Sequence, residues 1–226
     1  MAPKSQHHKA ERHLSKLCPI FKRHIDRVGP RVEKPDDGRS PYAKLVRAIA
    51  HQQLNGRAAE TIFGRFLALF PNHDFPPPRL ILEKPDAELR ACGFSFSKIA
   101  AIRDIAVHAD RGVVPEREEL AAHDDETLIK RLLPIRGVGR WTVEMLLMDI
   151  GRPDILPIDD FGVREGYKLL YGLDAQPKPK LLAELGQPWA PFRSTAAWYL
   201  WRSADEAKKI KPIPPADRAA TPAGAA

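Results

Sequence analysis

The residues best suited to chemistry lie in Leu133-Pro134-Ile135-Arg136-Gly137-Val138-Gly139-Arg140-Trp141-Thr142. Two glycines flank one apolar residue between two amphipathic stretches. Glycine admits backbone angles that other residues resist, so the pattern predicts a tight turn. The amides of Gly137, Gly139 and their neighbours, with Thr142 in the first turn of the helix that follows, can converge on one anion. A duplex offers such anions in its phosphates, and Arg136 and Arg140 add positive charge at the same place. Val138 is expected to plug the space between the two helices. The same residues also fit a plain connection between helices, and the turn alone does not decide.

A second group follows in Leu156-Pro157-Ile158-Asp159-Asp160-Phe161-Gly162. Paired aspartates at a helix start are ordinary: one caps, and both favour the positive end of the helix. The spacing adds a second reading. Between Gly139 and Asp160 there is room for one helix and a returning loop, so a carboxylate can face a strand gripped by the turn.

The elements that must hold these groups read as helices. Leu17, Ile20, Phe21, Ile25 and Val28 have helical spacing over 17–28, ended by Gly29-Pro30. Ser40 and Pro41 open a long helix with Leu45, Val46, Ile49 and Ala50 on its buried stripe. After a pause at Gln52-Gln53-Leu54-Asn55-Gly56, Asn55 caps another, with Ile62, Phe63, Phe66 and Leu67 inward. Residues 71–79 form a proline-rich connection. Short helices are expected at 86–92 and, capped by Ser97, at 97–111. Further helices are expected at 127–133, 140–150, from Asp159 or Asp160 to 171, at 181–185 and at 191–207. No period-two strand pattern stands out. Residues 1–16 read as a loosely ordered basic arm and 208–226 as a disordered tail.

Lys and Arg number 36 against 29 Asp and Glu, a net charge of +7 that favours a polyanionic partner. With two cysteines, Cys18 and Cys92, the chain cannot supply a four-cysteine iron–sulfur or zinc site. No apolar run is long enough to span a bilayer, and the start does not read as a signal peptide. A cytoplasmic, nucleoid-associated location with reduced thiols is therefore expected.

Turn and aspartate together resemble the helix-hairpin-helix DNA glycosylases of base excision repair, and within them the alkylpurine branch, the 3-methyladenine DNA glycosylase II proteins. Three further segments agree: Gln52-Gln53-Leu54-Asn55, Gly93-Phe94-Ser95-Phe96-Ser97-Lys98, and Arg193-Ser194 leading to Trp198 and Trp201. The resemblance covers roughly residues 40–205. It implies an all-α, two-lobed fold with the active site in the cleft between lobes: an arm and short helix (1–40) packing with the C-terminal lobe, a central lobe (41–150) with the hairpin at 133–141, and a C-terminal lobe (151–207) carrying Asp160. There is no room before Pro41 for the extra N-terminal domain of larger relatives, so the compact form is expected.

For activity, the resemblance implies hydrolysis of the N-glycosidic bond of a flipped, alkylated purine such as 3-methyladenine or 7-methylguanine in duplex DNA. Asp160 is the catalytic carboxylate, with Asp159 as cap or loop brace. Trp141, Met145, Trp201 and His51 line the base pocket. Arg136, Gly137, Val138, Gly139, Arg140, Thr142 and Lys98 contact phosphates, and Gln53 or Leu54 wedges into the duplex. Bifunctional relatives carry a lysine where this chain has Trp141, so no Schiff base can form there and a monofunctional enzyme is expected. No catalytic metal is expected. A monovalent cation bridging hairpin carbonyls and a phosphate is implied by the resemblance alone. One lesion in a duplex needs only a monomer. Two alternatives remain: a related glycosylase with another lesion preference, and a non-catalytic module for damaged DNA.

Overall fold

The computed structural model describes residues 4–32 and 37–209. Regular structure among them is helical throughout: α1 (Lys4–Leu17), α2 (Pro19–Val28), α3 (Pro41–His51), α4 (Gly56–Ala68), α5 (Pro78–Glu83), α6 (Asp86–Ala91), α7 (Phe96–Asp110), α8 (Asp125–Leu132), α9 (Arg140–Asp149), α10 (Phe161–Tyr171), α11 (Pro179–Leu185) and α12 (Arg193–Lys209). Short 3-10 turns lie at Glu119–Ala122 and Gln187–Trp189. No described helix is long and apolar enough to cross a membrane. The chain forms two compact units. One runs from Val32 to Pro157 and holds α3 to α9; the other joins Lys4–Arg31 to the chain from Ile158 onward and holds α1, α2 and α10 to α12.

The first unit is organised on α3. Ser40 accepts the Ala43 amide at 3.2 Å, and Pro41 presets the first turn. The predicted stripe of Leu45, Val46, Ile49 and Ala50 is fully buried, and α4, α7 and α9 pack against α3. Asn55 caps α4 as expected, accepting the Ala58 amide at 2.9 Å. Before α7 the cap is Ser95 rather than Ser97. Phe96 is already helical, so Ser97 lies inside the first turn, while Ser95 Oγ accepts the Lys98 amide at 3.3 Å. Asp124 caps α8 by accepting the Thr127 amide at 2.9 Å, which starts that helix at Asp125, two residues before the expected start at Thr127. The loop from Gly151 to Pro157 belongs to this unit, because Ile155 and Leu156 are buried and Ile155 joins its core.

In the second unit, residues expected to be a loose arm form α1. Ala10 and Leu14, one turn apart, are buried. So sparse a stripe in a basic stretch gives no periodic signal, and packing rather than propensity makes the helix. Lys208 and Lys209 end α12, and the expected tail otherwise lies outside the described residues. Phe21 meets Trp189 edge to face at 5.5 Å, and Tyr167 stacks on Tyr171 at 4.3 Å.

Helices α10 and α12 meet at backbone distance. A Cβ added to Gly166 would stand 1.8 Å from the Leu200 carbonyl oxygen, and one added to Gly162 would stand 2.8 Å from Trp201 Cδ1. Residues one turn apart share a helix face, so this pair makes the groove in which α12 lies. The Gly166→Ala variant is expected to lose about 3 kcal/mol of stability or more, since backbone must move to admit the methyl group. An unchanged urea midpoint would contradict this packing.

Candidate active site

Asp160 is the N-cap of α10, and its Oδ1 accepts the Val163 amide at 2.8 Å. The same oxygen accepts Trp201 Nε1–H at 2.8 Å. The cap role expected of Asp159 thus falls to Asp160. The helix begins at Phe161, and the N-cap is the residue directly before it, whose side chain meets an amide of the first turn. Asp159 is exposed. Cap and candidate catalytic group, alternatives in the sequence, are one carboxylate. Two N–H donors on one oxygen set its plane, and Trp201 commits its only polar atom there. Gly162 is what lets the indole approach so closely.

The hairpin is built by two glycines for different reasons. Gly137 turns at φ +78°, and a Cβ there would meet Ala101 Cβ at 2.9 Å, so the fold itself requires it. Gly139 caps α9 at φ −92°, and an added Cβ would meet nothing within 4 Å. The fold does not require glycine at 139; a ligand brought close to the backbone would. Val138 is buried, as expected, and its amide donates to the Ile135 carbonyl at 3.0 Å. The amides of Arg140 and Thr142, in the first turn of α9, have no carbonyl of their own helix to meet. Thr142 is a buried residue, so its hydroxyl is not presented to solvent.

The two arginines differ. Arg136 is exposed, and its amide donates to Asp104 Oδ2 at 2.7 Å. Arg140 is already committed: Nη2 and Nη1 donate to the two carboxylate oxygens of Glu126 at 2.9 and 3.3 Å, and Nε donates to Glu144 at 3.0 Å. Hydrogen bonding to Glu126 raises the Arg140 pKa first of all. This guanidinium ties α8 to α9 across the hairpin, and its charge is offset where the sequence had assigned it to phosphate.

Lys98 is likewise engaged, donating from Nζ to the Ala50 carbonyl at 2.8 Å; burial pushes its pKa down. His51 ends α3 with Nδ1 2.8 Å from the Arg47 carbonyl and Nε2 3.1 Å from Glu60 Oε1. Both nitrogens bond within the first unit, so His51 braces α3 on α4 and has no ring nitrogen spare for a base. Gln53 is the single non-glycine residue with positive φ among those described, at 58°. Gln53 and Leu54 both project into solvent. Trp141 is 42% exposed and Met145, one turn on, is half-buried.

The structure therefore brings Asp160, Trp201 and Gly162 together in one unit. In the other, Gln52 Nε2 donates to the Gly137 carbonyl at 3.3 Å, joining the α3–α4 turn to the hairpin. The sequence assigned no role of their own to Gln52, Glu126, Gly162 or Gly166. The four-residue spacing of the two glycines was legible; the Gln52 and Glu126 contacts, between residues far apart in sequence, were not. Among the described residues, no cluster of His, Cys, Asp and Glu is placed to hold a metal. Of the hairpin carbonyls a monovalent cation would use, Ile135 and Gly137 each accept one hydrogen bond. A carbonyl oxygen has two lone pairs, so neither bond bars a cation.

A family model described as the HhH-GPD superfamily of base excision DNA repair proteins matches residues 46–191. The chain belongs to this superfamily. Among HhH-GPD relatives, DNA-3-methyladenine glycosylase 1 of Schizosaccharomyces pombe is 42% identical over 209 residues, covering 92% of each chain. The structure of a 3-methyladenine DNA glycosylase of that yeast with abasic DNA superposes with a TM-score of 0.79 at 42% identity, over 87% of this chain and 97% of that one. A DNA-3-methyladenine glycosidase from Bacillus halodurans gives 0.78 at 31% identity, over 92% of each.

The contrast between the hairpin glycines is testable by denaturation. Gly137→Ala is expected to lose about 1–3 kcal/mol from strain and overlap. Gly139→Ala should stay within about 0.5 kcal/mol of the parent. Equal losses would contradict this difference between the two glycines.

Proposed function

We propose that the protein is a monofunctional DNA glycosylase that releases alkylated purines, of the 3-methyladenine and 7-methylguanine type, from duplex DNA and so initiates base excision repair. The observation that carries this reading is Asp160, a carboxylate aimed by its own helix and by the Trp201 indole. It follows a hairpin whose Gly139 leaves the backbone open to a phosphate. The identity to DNA-3-methyladenine glycosylase 1 supports the choice of lesion class.

In this mechanism the hairpin amides and Arg136 hold the strand at a phosphate near the lesion. Gln53 and Leu54 enter the duplex as the damaged nucleotide turns out. Trp141 and Met145 offer the extruded base an aromatic and polarisable wall, and a cationic purine interacts favourably with a ring face. As the C1′–N bond breaks, its electron pair leaves with the purine and positive charge grows on the sugar. Asp160 stabilises that charge, orients a water and takes its proton as the water oxygen bonds to C1′. An alkylated purine already carries positive charge, so its departure needs little help from an acid. The resemblance puts Trp141 at the position of the lyase lysine, and an indole cannot form a Schiff base, so in this reading strand cleavage is not part of the reaction.

Asp160→Asn is a clean test because asparagine is also a good N-cap and keeps an oxygen for Val163 and Trp201. Fold and DNA binding should persist. Release of 3-methyladenine and 7-methylguanine from methylated duplex should fall by about 10²-fold or more. Unaltered release would refute the role of Asp160. Strand cleavage at the excision site by the parent protein would refute the monofunctional reading. Duplex binding without base release by the parent would favour a damage-recognition module.

A further inference from the structure

The turn between α3 and α4 is held from three directions, all inside the first unit. Lys98 reaches from α7 to the Ala50 carbonyl at 2.8 Å, and His51 is fixed between the Arg47 carbonyl and Glu60 of α4. Gln52 reaches across to the hairpin and donates to the Gly137 carbonyl at 3.3 Å. Directly after Gln52, Gln53 takes a left-handed conformation at φ 58°, one that non-glycine residues rarely adopt. Such a conformation persists only where its surroundings over-determine it. Polar ties anchor the two residues before Gln53, and Asn55 anchors the far side as the cap of α4.

We infer that Gln52 is a positioning residue that couples the phosphate-gripping hairpin to the duplex wedge. This rests on the reading of Gln53 and Leu54 as the wedge. The Gln52 carboxamide runs from the turn to the hairpin itself, and it ends on Gly137, the residue whose own geometry the fold dictates. A phosphate bound at the hairpin therefore meets a Gly137 that the fold has already placed, and Gln52 holds the strained tip in register with it. Grip and insertion become one rigid event, and the ordering of the tip is complete before DNA arrives. The exposed tip can then enter the stack without first losing conformational freedom. Lys98 takes part from the other side: it fixes the end of α3 and thereby the start of the turn.

The test uses the full chain with Gln52→Met, which keeps length and bulk, adds no charge and cannot donate, and with Gln52→Ala beside it. Thermal melting confirms that each variant is folded. Three quantities are read: affinity for undamaged duplex, fluorescence of a 2-aminopurine placed beside a lesion analogue, and single-turnover release of 7-methylguanine from duplex and from single-stranded methylated DNA. We expect undamaged-duplex affinity within about threefold of the parent, because the hairpin amides are untouched. The flipping signal should fall, with excision from duplex slowed about tenfold or more. Excision from single strands, where no stack must be entered, should be nearly unchanged. Parent-like flipping and excision in Gln52→Met would overturn the inference. So would an equal loss on duplex and single strands, since that is what a general disturbance of the site would give. If the parent excises nothing, the glycosylase reading fails on its own, and the fluorescence signal still decides the role of Gln52.

Discussion

The close approach of α10 to α12 is the constraint on which the candidate active site depends. Gly166 and Gly162 remove the two side chains that would keep α12 away. Only then can the Trp201 indole reach the carboxylate that caps α10. Ordinary capping would have left Asp160 turned toward its own helix amides. With a second donor from α12 the carboxylate is oriented by tertiary packing, and its capping bond becomes part of the positioning. A group that must face developing charge with little reorganisation benefits from being fixed in this way.

In the first unit, too, polar side chains near the turns are fixed by protein partners. Arg140 and Lys98, two of the cations that the sequence assigns to phosphate, donate to Glu126, Glu144 and the Ala50 carbonyl. Two carboxylates offset the Arg140 charge, so positive potential for an anion rests more on Lys98, Arg136, the surplus charge of the chain and the amides at the start of α9. Backbone donors suit anion binding because the helix already holds them, so they lose no side-chain entropy when they bind. The open space beside Gly139 is where such donors can be reached.

Much of this was legible in the sequence. Helix identity, the hairpin, and the caps at Ser40 and Asn55 follow from periodicity and capping chemistry, because those are local properties. Asp160 stood out only through its spacing from the hairpin and its family resemblance, since a capping aspartate alone is commonplace. Other features were not legible. Helix α1 depends on Ala10 and Leu14 finding partners in the fold. The placement of Ile155 in the first unit also depends on its tertiary packing. The ties Gln52–Gly137, Arg140–Glu126 and Trp201–Asp160 join residues distant in the chain, and a single sequence carries no record of such pairs. His51 and Lys98 were assigned to ligand contacts by type and position, and the protein carbonyls and carboxylate that each also bonds were not legible.

The central claim is that Trp201 acts through Asp160 and is more than a wall for the base. Its most direct test is the single-turnover rate of 7-methylguanine release by Trp201→Phe, which keeps the aromatic ring and removes the N–H donor. Loss of one charge-assisted hydrogen bond to the carboxylate predicts a rate about tenfold lower or more, with affinity for duplex containing an abasic site unchanged. A parent-like rate in the folded variant would contradict the account.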